Sequence, residues 1–182
     1  NQLANLGSDQ MAALSDGQVA ALTTAQLAAL GSADLNLLTA AQFQALTTLQ
    51  MRALGSDQLI AMTSDDLAAL TTLQMRALES RDLAALDSAD LHAFGSAQMA
   101  ALTTGQLVGL DSADLGGLTT AAVRGIAASQ IAGLTSNQLG ALSTAQVRAL
   151  TVPQLGLLSA EDIAAIEQAV AGEVADAVAY AE

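Results

Sequence analysis

The sequence predicts an all-α protein, a tandem-repeat α-solenoid with one short capped helix per octad. Three observations carry this. One eight-residue unit runs without insertion or deletion from Gly7 to Ile166, twenty copies in a row. Its fifth and eighth positions are apolar in all twenty copies, and a spacing of three puts them on one face of a helix. Its first and fourth positions follow the spacing S/T-x-x-E/Q, which starts a helix by reciprocal capping.

The octad is cleanest as TTLQMRAL at 47–54, repeated letter for letter at 71–78. The first position is Ser, Thr, Gly or Asp in eighteen copies, where a hydroxyl or carboxylate can satisfy an orphan N–H of the first turn. The fourth is Gln or Asp in nineteen, with Ala122 the exception. The fifth runs from Met11, Val19 and Leu27 to Ile163. The eighth is Leu except at Met62, Phe94, Ile126 and Ile166. The seventh is Ala or Gly except at Leu37 and Leu157, so neighbouring segments can approach closely. Pro153 falls inside a first turn, where a missing N–H costs little.

Two other architectures fail on geometry. In one continuous helix, eight residues at about 100° each overshoot two turns by about 80°, and the Leu stripe would spiral away from any partner. Supercoiling cannot absorb that drift. In a strand, positions three apart point to opposite faces, and Ala, Gln and Asp are poor strand formers. A helix of about five or six residues is unstable alone, so it must stack on its copies.

A longer period overlies the octad. Arg52, Arg76, Arg124 and Arg148 all occupy sixth positions at spacings of 24, 48 and 24. Asp66, Asp90, Asp114 and Asp162 share another class of octad in the same way. The expectation is that three octads make one superhelical turn, with every third octad stacked in a column. The Arg side chains would then form a broken vertical row on one side. A duplication unit of three octads is the competing explanation.

The domain reading is an octapeptide-repeat solenoid over 1–166 and a C-terminal capping helix over 167–182. Residues 1–6 supply a partial octad with no cap. Val170, Val174 and Val178 recur every four residues after the octad register stops, as in an amphipathic helix. Tyr180 is expected to fold back on the last turn.

Composition narrows the function. The chain of 182 residues is 52% hydrophobic with two Phe, one Tyr and no Trp, so its core must be Leu packed against Ala. The formal charge is −13 and the only strong cations are five Arg, a balance opposed to nucleic-acid backbones and anionic membranes. There is no Cys, hence no disulfide framework or thiol chemistry. No apolar run reaches the roughly 18 residues of a membrane span. His92, the sole His, sits at a variable sixth position. No nucleophile–base constellation, metal cluster or phosphate loop is present, so no catalytic, cofactor or metal residues are expected. Acid pairs such as Asp65-Asp66 and Glu161-Asp162 lack the Gly and terminal Glu of a calcium loop and are explained by the helix dipole. Calcium binding and ice binding, the latter suggested by the repeated Thr, stand as lower alternatives. So does a designed repeat protein.

The run LTTAQLAAL at 22–30, with its variants through 166, resembles octapeptide tracts of large, repetitive bacterial secreted or surface (adhesin-like) proteins. The resemblance implies a bacterial, extracellular or cell-surface spacer. The nonapeptide calcium repeat of such proteins is absent here. The expected function is therefore a non-enzymatic structural module, a rigid rod-like spacer or stalk. Its expected partners are proteins or end-to-end array neighbours, not nucleic acid or membrane. The alternative is a binding scaffold whose recognition stripe is the row of Arg52, Arg76, Arg124 and Arg148, with the Asp rows beside it.

Overall fold

The computed structural model describes residues 7–179. The partial octad 1–6 and Tyr180 lie outside the described residues. Within them the chain is helical with no strand, in twenty helices, one per octad. The first turns of the coil hold α1 (Ser8–Ala12), α2 (Asp16–Ala20), α3 (Thr24–Ala28), α4 (Ser32–Leu35), α5 (Ala40–Ala45), α6 (Thr48–Ala53) and α7 (Ser56–Ile60). The middle holds α8 (Ser64–Ala69), α9 (Thr72–Ala77), α10 (Ser80–Leu83), α11 (Ser88–Leu91), α12 (Ser96–Ala101), α13 (Thr104–Val108) and α14 (Ser112–Gly117). There follow α15 (Thr120–Gly125), α16 (Ala128–Ile131), α17 (Ser136–Gly140), α18 (Thr144–Ala149), α19 (Val152–Leu155) and α20 (Ala160–Ala179).

Each octad folds as its letters require. The first residue is extended, as at Thr47 (φ −72°, ψ 159°), and its hydroxyl accepts from the Gln50 N–H at 3.2 Å. The Gln50 Oε1 in turn accepts from the Thr47 N–H at 2.7 Å, completing the reciprocal cap. Where Gly or Ala stands first the hydroxyl half is missing, but the Gln half remains, as at Gly95 (2.9 Å) and Ala127 (2.6 Å). At Thr119 the reverse holds. The hydroxyl caps Ala122 N–H at 3.0 Å and nothing reaches back. Each helix then stops without a left-handed residue, since no described residue has a positive φ. In α6 the exit is made by Leu54 in an extended conformation (φ −68°, ψ 135°), which leads straight into the next cap. Pro153 lies in the first turn of α19, as expected.

Packing follows a single rule, in which each helix lies against the third one along. Thus α3 packs on α6, α6 on α9, α9 on α12, α12 on α15 and α15 on α18. The α2, α5 and α8 series does the same. The fifth-position side chains from Met11 to Leu139 are buried at 0–1% exposure and form one continuous core with the eighth-position residues. An all-α solenoid is therefore the fold.

Helices three octads apart stack as expected, and the hydrogen bonds that join turns reach somewhat beyond that step. From Gln42 onward the fourth-position Gln is buried, and its Nε2 reaches back beyond the third octad. Gln42 donates to the carbonyls of Leu14 and Met11, 28 and 31 residues earlier, at 2.7 and 3.0 Å. Gln74 does so to Leu46 and Phe43 (2.8 and 2.7 Å), and Gln106 to Leu78 and Met75 (2.8 Å each). Gln130 bonds Leu102 in the same register. The side-chain bonds that cross a turn span 25 to 31 residues. A turn thus takes up between three and four octads, and helices three octads apart are neighbours without being in vertical register. The reason is packing. A helix seated between two helices of the previous turn reaches the side of one and the open carbonyl end of the other.

The C-terminal element also differs from the expected boundary at Ile166. One helix runs through that point, beginning at Ala160 within the last octad and continuing to Ala179. It packs on α17 and α18, with Ile166 buried and Val170 half-buried against the core.

Candidate interaction surface

Four of the five Arg project from one series of stacked helices, α6, α9, α15 and α18. The intervening α12 carries Ala100 in the same place. All four Arg are exposed. Among the described residues the ion pairs are those of Arg81, at 3.1 Å from Glu79 and 3.5 Å from Asp82. Arg81 lies in α10, outside the row, so among the described residues no ion pair joins the stacked Arg residues to an acid. Because three octads fall short of a full turn, the row winds around the solenoid instead of standing as a vertical stripe.

Two further features accompany the row. Leu49 and Leu73 are 67% and 68% exposed on the contacting helices α6 and α9, beside Arg52 and Arg76. Farther along, a shallow groove of about 620 Å³ lies between α12, α15 and α18, lined by Ser96, Ala100, Thr120, Arg124, Gly125 and Ala149. It opens where Ala100 replaces an Arg.

The Asp row is spent differently. Asp66 and Asp114 are buried, and Asp90 and Asp162 are partly so. Each caps its own helix. Asp87 and Asp90 face one another across one cap, and Asp111 and Asp114 across another. Asp87 Oδ1 accepts from Asp90 N–H at 2.9 Å, and Asp111 Oδ1 from Asp114 N–H at 2.8 Å. Burial raises the pKa of both Asp90 and Asp114. Backbone bonds from Asp87 and Asp111 oppose this, and the adjacent carboxylates add to it. The Asp162 carboxyl is instead held below its ordinary value, chiefly by the hydroxyl and N–H of Ser159. Asp162 also accepts from the Ser136 hydroxyl one turn back at 3.1 Å, as Asp82 does from Ser56 at 2.6 Å. Where Asp replaces Gln, a Ser of the earlier turn can thus supply the bond.

His92 is exposed at the end of α11, with Nδ1 3.3 Å from the Gly117 carbonyl. No three His, Asp or Glu among the described residues are placed to hold a metal ion. No described helix is long and apolar enough to cross a membrane.

The structural role of the fourth-position Gln goes beyond its reading as a cap. One such signal was present, since a cap alone is satisfied by Asp, Glu or Gln, yet Gln predominates. What it bonds lies up to 31 residues away, and octad spacing does not reveal that.

The fold and this surface define a class: an all-α tandem-repeat solenoid whose variation is displayed on exposed sixth and third positions. A family model described as the ALTTAQ repeat matches residues 16–48, 43–72, 75–112, 107–144 and 137–167. The chain belongs to the ALTTAQ repeat family, and Ala21–Gln26 carry those six letters in order. Neither the curated proteins nor the solved structures yield a match.

Proposed function

We propose that this chain is a non-enzymatic structural module, a rod-like spacer that holds other parts of a larger protein apart. The observation that carries this is the recurring Gln ladder. The same amide-to-carbonyl bonds join turn after turn from Gln42 to Gln154, so stiffness is distributed along the whole array. Asp66, Asp90, Asp114 and Asp162 are each used in a helix cap. The resemblance of the octads to tracts of large bacterial surface proteins supports a place on the cell surface or outside the cell. Small-angle scattering on dilute protein tests the shape. An elongated particle with strong helical circular dichroism is expected, and a compact sphere would overturn the reading.

A second reading has one specific observation in its favour, the groove beside Arg124 within the exposed Arg row. In it the row recognises an acidic partner. Replacing Arg52, Arg76, Arg124 and Arg148 by Gln together separates the two. If partner capture survives in the variant, the row is a solvated face.

A further inference from the structure

Of the twenty octads, two combine a large apolar third position with a sixth-position Arg. They are the identical pair at 47–54 and 71–78, which place Leu49 with Arg52 on α6 and Leu73 with Arg76 on α9. The other helices of the same stacked series, α3, α12, α15 and α18, carry Ala25, Ala97, Ala121 and Ala145 at the third position. A single exposed Leu needs no explanation. Here two stand on helices that pack on one another, 67% and 68% exposed, each with an exposed Arg three residues on.

Residues three apart share one face of a helix, so each Leu lies beside its Arg. Stacking α9 on α6 makes a patch of the four, two Leu in one line and two Arg in a line beside it. Packed helices lie about 8–10 Å apart, which sets the spacing along each line. Neither Arg52 nor Arg76 has an ion pair among the described residues, in a chain with 18 Asp and Glu.

We propose that this patch docks an acidic amphipathic α-helix of a partner protein, laid across α6 and α9. Apolar residues one heptad apart on such a helix are separated by about 10.5 Å and seat beside Leu49 and Leu73. In an extended strand, residues of one face fall at about 6.8 or 13.6 Å, a poorer match. Carboxylates along one side of the apolar stripe pair with Arg52 and Arg76, as flanking charges do between packed helices. Charge selects this occupant over two others. A second copy docked face to face by the same patch would set Arg against Arg. An anionic membrane would meet the wider surface of a chain at −13 as well as the patch. The inference rests on the reading of the Arg row as a recognition surface, and confines recognition to the half of the row that carries Leu.

Fluorescence anisotropy on the whole chain tests it. The probe is a labelled synthetic helix of about 21 residues, with Leu at seven-residue spacing and Glu along one side of that stripe. The wild type is expected to bind it, and to bind a version with Gln for every Glu about tenfold or more weakly. Arg52→Gln with Arg76→Gln, and separately Leu49→Ala with Leu73→Ala, are each expected to weaken binding about tenfold or more, with circular dichroism unchanged. Arg124→Gln with Arg148→Gln is expected to leave binding within about twofold. An equal loss in that third variant, or an unaffected Leu variant, would overturn the proposal while leaving the row a recognition surface. A wild type that ignores the acidic helix would overturn both. Sedimentation of the same proteins separates the other occupants. Self-association of the wild type that the Leu variant loses, or pelleting with phosphatidylserine vesicles that it loses, would assign the patch to a second copy or to lipid and overturn the proposal.

Discussion

The Gln74 side chain serves two helices at once. Its Oε1 accepts from the Thr71 N–H at 2.8 Å and starts α9, while its Nε2 donates to Phe43 and Leu46 and closes the end of α5. Removing it leaves the Thr71 N–H and the buried Leu46 carbonyl without that partner, and the Phe43 carbonyl with only the Leu46 N–H, a buried loss of this kind costing about 1–3 kcal/mol. Gln74→Ala is therefore expected to lower stability by about 2–4 kcal/mol in chemical denaturation. Gln18 makes the cap alone, in the open, and Gln18→Ala should cost about 1 kcal/mol or less. Equal losses at the two positions would contradict the double role. The Asp-on-Asp caps give a pH signature. Asp90 and Asp114 have folded pKa values raised above 3.8, so the folded state takes up protons first and stability grows as pH falls through those values. Asp162 has the opposite sign, and its contribution is lost as pH falls through a value below 3.8. The melting temperature is expected to rise from pH 7 toward pH 4 (about the ordinary carboxylate range) and to fall below it. Asp90→Asn with Asp114→Asn should shrink that rise, since two of the groups responsible are gone.

At the scale of the element, close approach is set by the seventh position. A Cβ on Gly125 would lie 2.2 Å from the Ser96 carbonyl oxygen and 2.5 Å from its Cα, both backbone atoms that cannot swing away. Gly125→Ala is expected to lower stability by about 2 kcal/mol or more as α15 is pushed off α12. Gly105, inside α13, has open space around it, and Gly105→Ala should raise stability by about 0.5–1 kcal/mol. Thermal unfolding of the two variants checks both signs. Much of the element was legible from letters. The fifth- and eighth-position residues could be placed in the core because two apolar positions three apart leave a helix one face to bury. The Thr and Gln of the cap could be paired because their partners lie three positions off. The winding of the Arg row could not be read. It follows from which carbonyl the Gln finds a full turn away, and a repeat of identical octads offers several equivalent choices. The continuous α20 was missed for a related reason, since Ser159 to Ile166 still spells an octad although its helix does not stop.

In the whole molecule no described side-chain bond reaches beyond 31 residues, so every contact is with the adjacent turn. Stability is then a sum of octads and nearest-turn interfaces, and unfolding can begin wherever a turn has only one neighbour. Amide hydrogen exchange should show the strongest protection around α8 to α13 and progressively less toward α1 and α19. A flat profile would mean that the array melts as one unit. The half-buried Val147 and exposed Leu155 and Ile163, beside fully buried fifth positions earlier in the chain, mark that gradient toward α19.

The turn of three to four octads makes the solenoid a screw, and any feature copied at a fixed step of three octads follows its thread. A sequence that grew by duplicating three octads at a time would therefore display its marks around the shaft, each facing a new direction. To align them on one side, the gene would have to alternate steps of three and four octads. The spacing of Arg52, Arg76, Arg124 and Arg148 does not do this. A solenoid of this kind turns one end relative to the other as it lengthens, and adding one three-octad block would change their relative heading as well as their distance.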